Sequence, residues 1–397
     1  MRYAAAFGMK FSARGVDVTF ESCTYNQLTF KKENNLVFDV DIPCIGTAGR
    51  FKYNLKTGSS SGDDELYGLA QLAKQYLEKT NATLSKNWST YRRKILIFPL
   101  SWYTDWAGFA GMAMVGCAPR HDCYTWINPG VADDKPDMPV VFQELGHNIG
   151  LAHSSRVVCD NRGNCARDEY GDPVDPMGAT WPNDPQKHVV CTNAAQSYKA
   201  GWSSPTQGGH LSLTKDLTPG VPRVFTLPAM ALNKANMLRI ITDRKNPSVN
   251  NATTELQQRA LFVSYRVHEY NETANGIPAN LDTPPIVLAM LTDNKPPPEI
   301  RTWGVLNGSF TQLLPDLGGV SIQLKSKTPQ AATVSVCWFL SIVESSGDQS
   351  MCSDGLDNDC DGLVDAEDPD CKAILQPPPK KPSRPPNSPP PQQQQIF

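Results

Sequence analysis

The sequence predicts an α+β domain, with a mixed twisted sheet and one histidine-bearing helix, followed by a small all-β sandwich-like domain. Two textures lead there. Up to about residue 203, helix-period segments alternate with short strand-like runs, as mixed α+β layers require. Beyond 203 long helical patterns vanish, and short β-rich runs separated by turn residues take over. The boundaries read as 1–203 for the first domain and 204–345 for the second. A Cys/Asp-rich loop over 350–371 and a Pro/Gln-rich tail over 372–397 complete the chain.

In the first domain, Leu36 to Ile42 reads as a strand. In Asp63 to Leu77, Leu66, Leu69, Leu72, Ala73, Tyr76 and Leu77 recur at helical spacing, with Asp63 or Asp64 as the cap. Lys94 to Leu100 is a buried strand. Trp106 to Cys117 and Tyr124 to Asn128 suit further strands. Pro136 to Phe142 suits a helix start, with Pro139 in the first turn. Phe142, Leu145, Ile149 and Leu151 supply the apolar side of that helix.

The helix carries the chemistry. Residues 143–153 read Gln-Glu-Leu-Gly-His-Asn-Ile-Gly-Leu-Ala-His. This is the extended zinc-protease signature H-E-x-x-H-x-x-G-x-x-H with Gln143 in place of the first histidine. Positions 143 and 147 lie one turn apart on a helix and share a face, so both side chains reach one metal ion. Gly150 can end the helix in a left-handed conformation, and His153 returns as a third ligand. Glu144 projects beside them, where a carboxylate takes a proton from metal-bound water. Downstream, Tyr170 to Gly178 resembles the Met-turn, in which a methionine, here Met177, packs as a hydrophobic floor beneath metal ligands. An imidazole nitrogen suits zinc or copper, whereas an amide oxygen is a harder, weaker donor. The expected metal set is Gln143, His147 and His153, the metal zinc or copper, and the catalytic base Glu144.

At these residues the chain resembles the metzincins, and more narrowly the gametolysin family of secreted green-algal metallopeptidases. The resemblance runs from about Ser22 to Trp202. It includes Cys23 to Phe30, Val37 to Cys44, the helix motif, Met177-Gly178 and Cys191 to Ala194. It implies a metzincin-like catalytic domain with an edge strand that pairs with extended substrate, Gly108 to Val115 being the candidate. It also implies that Cys191 to Trp202 walls the substrate pocket. The family commonly has His at the position of Gln143. A volvocine branch carries Gln there, with copper considered as its metal.

In the second domain, Arg223–Leu227, Met237–Ile241, Leu261–Val267, Pro285–Leu291 and Ala332–Trp338 read as strands of an antiparallel sandwich. The loop that follows places Asp357, Asp359, Asp361, Asp365 and Asp368 at the oxygen-ligand spacing of a calcium loop, with Gly362 at the sixth position. Cys352, Cys360 and Cys371 frame it. Calcium is the expected ion; a solvated acidic linker is the bland alternative. The tail from Gln376 should be extended polyproline II.

Composition bounds the partners. A formal net charge of −3 gives no basic field for nucleic acid. No apolar run reaches the roughly 18 residues of a membrane span. Eleven cysteines fit an oxidising compartment, with Cys117/Cys123 and Cys159/Cys165 placed to close small loops and an odd thiol left over. Sequons at Asn81, Asn87, Asn251, Asn271 and Asn307 agree with secretion, and the resemblance implies the extracellular matrix or cell wall as destination. Met1 to Lys10 makes a poor signal peptide, which suggests that the true start lies upstream. The expected activity is a secreted metal-dependent endopeptidase acting on proline-rich matrix or wall glycoproteins, these substrates being implied by the family. The alternative is a catalytically inactive matrix-binding protein on the same fold.

Overall fold

The computed structural model describes residues 16–58, 62–98, 108–118, 121–128, 138–159, 164–172, 175–178, 191–242, 258–267, 286–292, 299–305, 308–314, 316–345 and 348–375. The chain start, Pro136 and Asp137, Pro173 and Val174, the sequons at Asn251, Asn271 and Asn307, and the tail from Gln376 lie outside those residues.

The chain opens with α1 (Val16–Cys23), β1 (Ile45–Ala48), β2 (Phe51–Asn54), α2 (Asp63–Thr80), α3 (Ala82–Lys86) and β3 (Arg93–Ile97). Next come β4 (Gly111–Ala113), β5 (Cys123–Ile127), α4 (Met138–Asn148), β6 (Ser154–Cys159), β7 (Cys165–Asp168) and α5 (Ala194–Lys199). The remainder holds β8 (Ser204–Ser212), α6 (Leu213–Asp216), β9 (Arg223–Pro228), β10 (Ala235–Ile241), β11 (Ala260–Tyr265), β12 (Ile286–Thr292) and β13 (Glu299–Val305). Last are β14 (Ser309–Leu314), β15 (Gly318–Lys327), β16 (Ala331–Phe339) and α7 (Pro369–Leu375). Mixed helix and sheet make this an α+β protein, as its patterning predicts.

Strands β3 and β5 run parallel, and β4 pairs antiparallel to β5, so the sheet order is β3-β5-β4 with β4 at an edge. Helix α4 packs its apolar side into a core of Phe20, Ile127, Phe142, Leu145, Leu151, Met177 and Trp202. The Phe20 and Phe142 rings lie 4.5 Å apart. Helix α2 forms as its periodicity demands, but its N-cap is Gly62, in left-handed conformation, rather than an aspartate. Asp63, Asp64 and Glu65 instead fill the first turn, where carboxylates suit the helix dipole.

The strand expected over 36–42 does not form. Its alternation is real, but it serves packing on a helix rather than a ladder: Phe38 stacks on Tyr76 of α2, and Ile42 joins the Tyr53–Leu69–Trp126 core.

The five strands expected beyond 203 are all present, but β10, β11 and β12 share a sheet with earlier chain. One seven-stranded sheet runs β7-β6-β13-β12-β11-β10-β8. Its β6 and β7 precede residue 203, and β6 pairs parallel with β13. A separate sandwich over 204–345 is therefore not what the strand pairing describes. Strands β14, β15, β16 and β9 make a sheet of that order, with β14 at one edge and β9 at the other, and β1 pairs antiparallel with β2. By contacts, one compact unit comprises Met1–Thr218, Arg223–Thr311 and Ile322–Val336, and a second Pro219–Pro222, Gln312–Ser321 and Cys337–Phe397.

Candidate metal centre

Helix α4 presents Gln143, Glu144 and His147, which are only 6%, 6% and 8% exposed. Its end is built as the motif requires. Gly150 takes φ +90°, and the N–H groups of Gly150 and Leu151 close back on the carbonyls of His147 and Gly146 at 2.8 and 3.0 Å. That turn carries His153 back to His147, with the two Nε2 atoms 3.1 Å apart.

The tautomers follow from the partners. Nδ1 of His147 lies 2.9 Å from the Leu151 carbonyl oxygen, which can only accept, so this nitrogen carries the hydrogen. Nδ1 of His153 lies 2.6 Å from Glu169 Oε1, an acceptor when ionised, with the same consequence. Both Nε2 atoms then present lone pairs to each other. Two lone pairs at that distance repel unless a cation lies between them. Two nitrogens bound tetrahedrally to one zinc at about 2.0–2.1 Å would stand about 3.3 Å apart, close to what is seen. The residues therefore fit a metal. Burial depresses the His147 pKa, and the neighbouring His153 and Lys199 act in the same direction, so the neutral, ligating imidazole is favoured. Gln143 is buried one turn before His147 on the same helix.

Glu144 stands beside β4. A Cβ placed on Gly111 would lie 2.5 Å from Glu144 Cγ and 2.6 Å from Val140 Cγ1, so only glycine fits there. Burial pushes the Glu144 carboxyl up to about 7. The strand is fixed to the helix by its continuation: the N–H groups of Gly116 and Cys117 donate to the His147 and Asn148 carbonyls, at 2.9 Å each. The Asn148 side chain donates to the Met114 carbonyl and accepts from Thr125, and the disulfide Cys117–Cys123 closes the loop.

Below the helix, Met177 is fully buried, and a Cβ on Gly146 would lie 2.6 Å from its sulfur. The Met177 N–H donates to Asp175 Oδ1 (2.7 Å), and the Asn193 N–H to Asp175 Oδ2 (2.6 Å). Asp172 accepts from Ser154 and Asn193. Burial, with the Asp172 charge, pushes Asp175 up to about 7, while the buried Arg266 guanidinium draws it back. Arg266, just past β11, donates to the Cys191 carbonyl. The segment 191–202 also braces the turn between the histidines, through Gln196 to the Ala152 carbonyl and Lys199 to the Gly150 carbonyl. The disulfide Cys23–Cys191 ties that segment to α1.

Sequence reasoning missed Glu169 and Tyr170 as partners of His153. The Tyr170 ring sits 4.2 Å from the imidazole. Tyr170 opens the stretch flagged only for Met177, Glu169 lies one residue before it, and no period connects either to position 153.

The second unit gathers the aspartates. Glu344, Asp357 and Asp359 form one acidic group, and Asp359, Asp361 and Asp368 another. Asp365 belongs to neither: its carboxylate accepts from the N–H groups of Asp354 and Gly355. Glu344 lies upstream of the aspartate repeat, where the spacing could not reveal it. The disulfides Cys337–Cys360 and Cys352–Cys371 frame the loop, and Cys44 is the free cysteine among the described residues.

A family model described as gametolysin peptidase M11 matches residues 7–282. The chain is 26% identical to a protein named autolysin from Chlamydomonas reinhardtii, over 89% of this chain and 62% of that relative. It thus spans less than two thirds of the relative's length. No solved structure matches it.

Proposed function

The chain belongs to the gametolysin peptidase M11 family, and on that premise we propose that it is a secreted metal-dependent endopeptidase that hydrolyses peptide bonds in extracellular matrix or cell-wall proteins. The observation that carries this reading is the pair of histidine Nε2 atoms 3.1 Å apart, their other nitrogens both committed, beside a buried glutamate.

His147 and His153, with Gln143, would hold the metal, zinc or copper. When bound, the metal acidifies a water and polarises the scissile carbonyl. Glu144 takes the water proton and returns it to the leaving nitrogen. Burial raises its pKa, which suits a group that must take up a proton. Strand β4, at an edge of its sheet among the described residues, pairs with extended substrate and so carries the peptide past Glu144. Met177 supports the helix from below, and the segment 191–202 walls the site. Proline-rich glycoproteins are the proposed substrates. The disulfides favour an oxidising compartment, and no helix among the described residues is long and apolar enough to cross a membrane. For the C-terminal loop, calcium is the proposed ion.

Glu144→Gln should lower kcat by about 10²–10⁴ while leaving metal content unchanged. Undiminished hydrolysis by the purified variant would overturn this mechanism. Gln143, the weakest of the three donors, favours a second reading as an inactive matrix-binding relative. Chelation followed by zinc or copper add-back separates the two: a folded chain that neither metal activates is the binding protein.

A further inference from the structure

We propose that the cystine-framed C-terminal loop holds two adjacent calcium ions bridged by Asp359, one on Glu344, Asp357 and Asp359 and the other on Asp359, Asp361 and Asp368. This rests on the assignment of calcium to the loop and extends it in ion number and ligand set.

The distances divide the ligands. A cation that holds oxygens at about 2.4 Å needs every pair of them within about 4.8 Å. Each triad meets that condition, its three carboxylate oxygens lying within 4.8 Å of one another, and Asp359 alone is common to both. A single ion would leave one pair of outer carboxylates beyond reach. Charge points the same way. Against five carboxylates, one divalent ion leaves three negative charges clustered, whereas two leave one.

Each triad also contains a buried oxygen that wants a partner. Asp357 is 7% exposed; its Oδ2 accepts from the Gly362 N–H, while its Oδ1 is buried without a hydrogen bond. Asp368 is 1% exposed; its Oδ1 accepts from the Asp370 N–H, while its Oδ2 is likewise unpartnered. A buried anionic oxygen without a donor is costly, and a cation satisfies it. Glu344, fully buried, orients the first triad. Its carboxylate accepts from the N–H groups of Asn358, Asp359 and Asp365, which shapes the loop around it.

The spacing of the aspartates alone suggests one ion in a continuous loop, with Asp365 as a ligand. In the structure Asp365 serves the backbone, and Glu344 takes a place in its stead.

The test is calorimetric titration of the full, disulfide-bonded, zinc-loaded chain with calcium. Two equivalents are expected in the native sequence. Asp359→Asn should lose both. Asp361→Asn alters an exposed residue and should keep its fold by circular dichroism while losing one. One equivalent in the native chain overturns the bridged pair but sustains a calcium loop. None overturns both. Two equivalents retained by Asp361→Asn overturn the second position.

Discussion

Glu169 tests whether His153 is held as a metal ligand. Its Oε1 lies 2.6 Å from His153 Nδ1 and fixes the tautomer that turns Nε2 toward His147. Removing such an outer carboxylate ordinarily lowers metal affinity 10–100-fold. The structure favours the low end. The Glu169 side chain is 59% exposed, so water can replace it at Nδ1, and Tyr170 still packs on the ring. Glu169→Ala should therefore weaken zinc binding about tenfold, about 1.4 kcal/mol. Glu169→Gln keeps an acceptor carbonyl and should fall between the two. Competition against a chromophoric chelator, at fixed pH, reads the affinity directly, with Glu144→Gln as a control that changes hydrolysis but not binding. An unchanged affinity in Glu169→Ala would refute the argument that this carboxylate sets the tautomer.

Three further outcomes are expected. Gly111→Ala drives a methyl into Glu144 Cγ and Val140 Cγ1, and a displaced base of about 1 Å should cost about 100-fold in kcat/KM at normal metal content; full activity would show that β4 can yield. Gln143→His should tighten zinc at least about tenfold in the same chelator competition, because an imidazole replaces a weaker amide donor. Burial, first among the causes, raises the carboxyls of Glu344 and Asp357 and takes Asp359 to about 6. A folded-state pKa above the unfolded value means that the folded chain holds more protons between the two. In calcium-free buffer, stability should thus fall as pH rises from about 4 through about 6. Thermal melting across that window should show the fall, calcium should reverse it above about pH 6, and Asp359→Asn should flatten it.

The site was legible in its local part. Spacing alone placed Gln143 and His147 on one face and made Gly150 the turn, because a helix repeats every 3.6 residues and a left-handed turn selects glycine. Alternation misled at 36–42, where Phe38 and Ile42 point inward at every second or fourth residue without any partner strand. A period of two marks a surface to be covered and does not say whether a strand or a helix covers it.

By itself the sequence determined the α+β class, the histidine-bearing helix, the cysteine-rich character and the aspartate loop, all of which follow from neighbours along the chain. Tertiary structure decided which distant residues complete them. Glu169 and Tyr170 meet His153, Gly111 leaves room for Glu144, and Cys23 finds Cys191. Arg266, just past β11, meets the Cys191 carbonyl and the Asp175 charge, and Glu344 enters the acidic loop from upstream. The physical reason is that a local period encodes the face a residue occupies, while its partner is set by sheet order and chain reversal, which leave no repeat in the sequence.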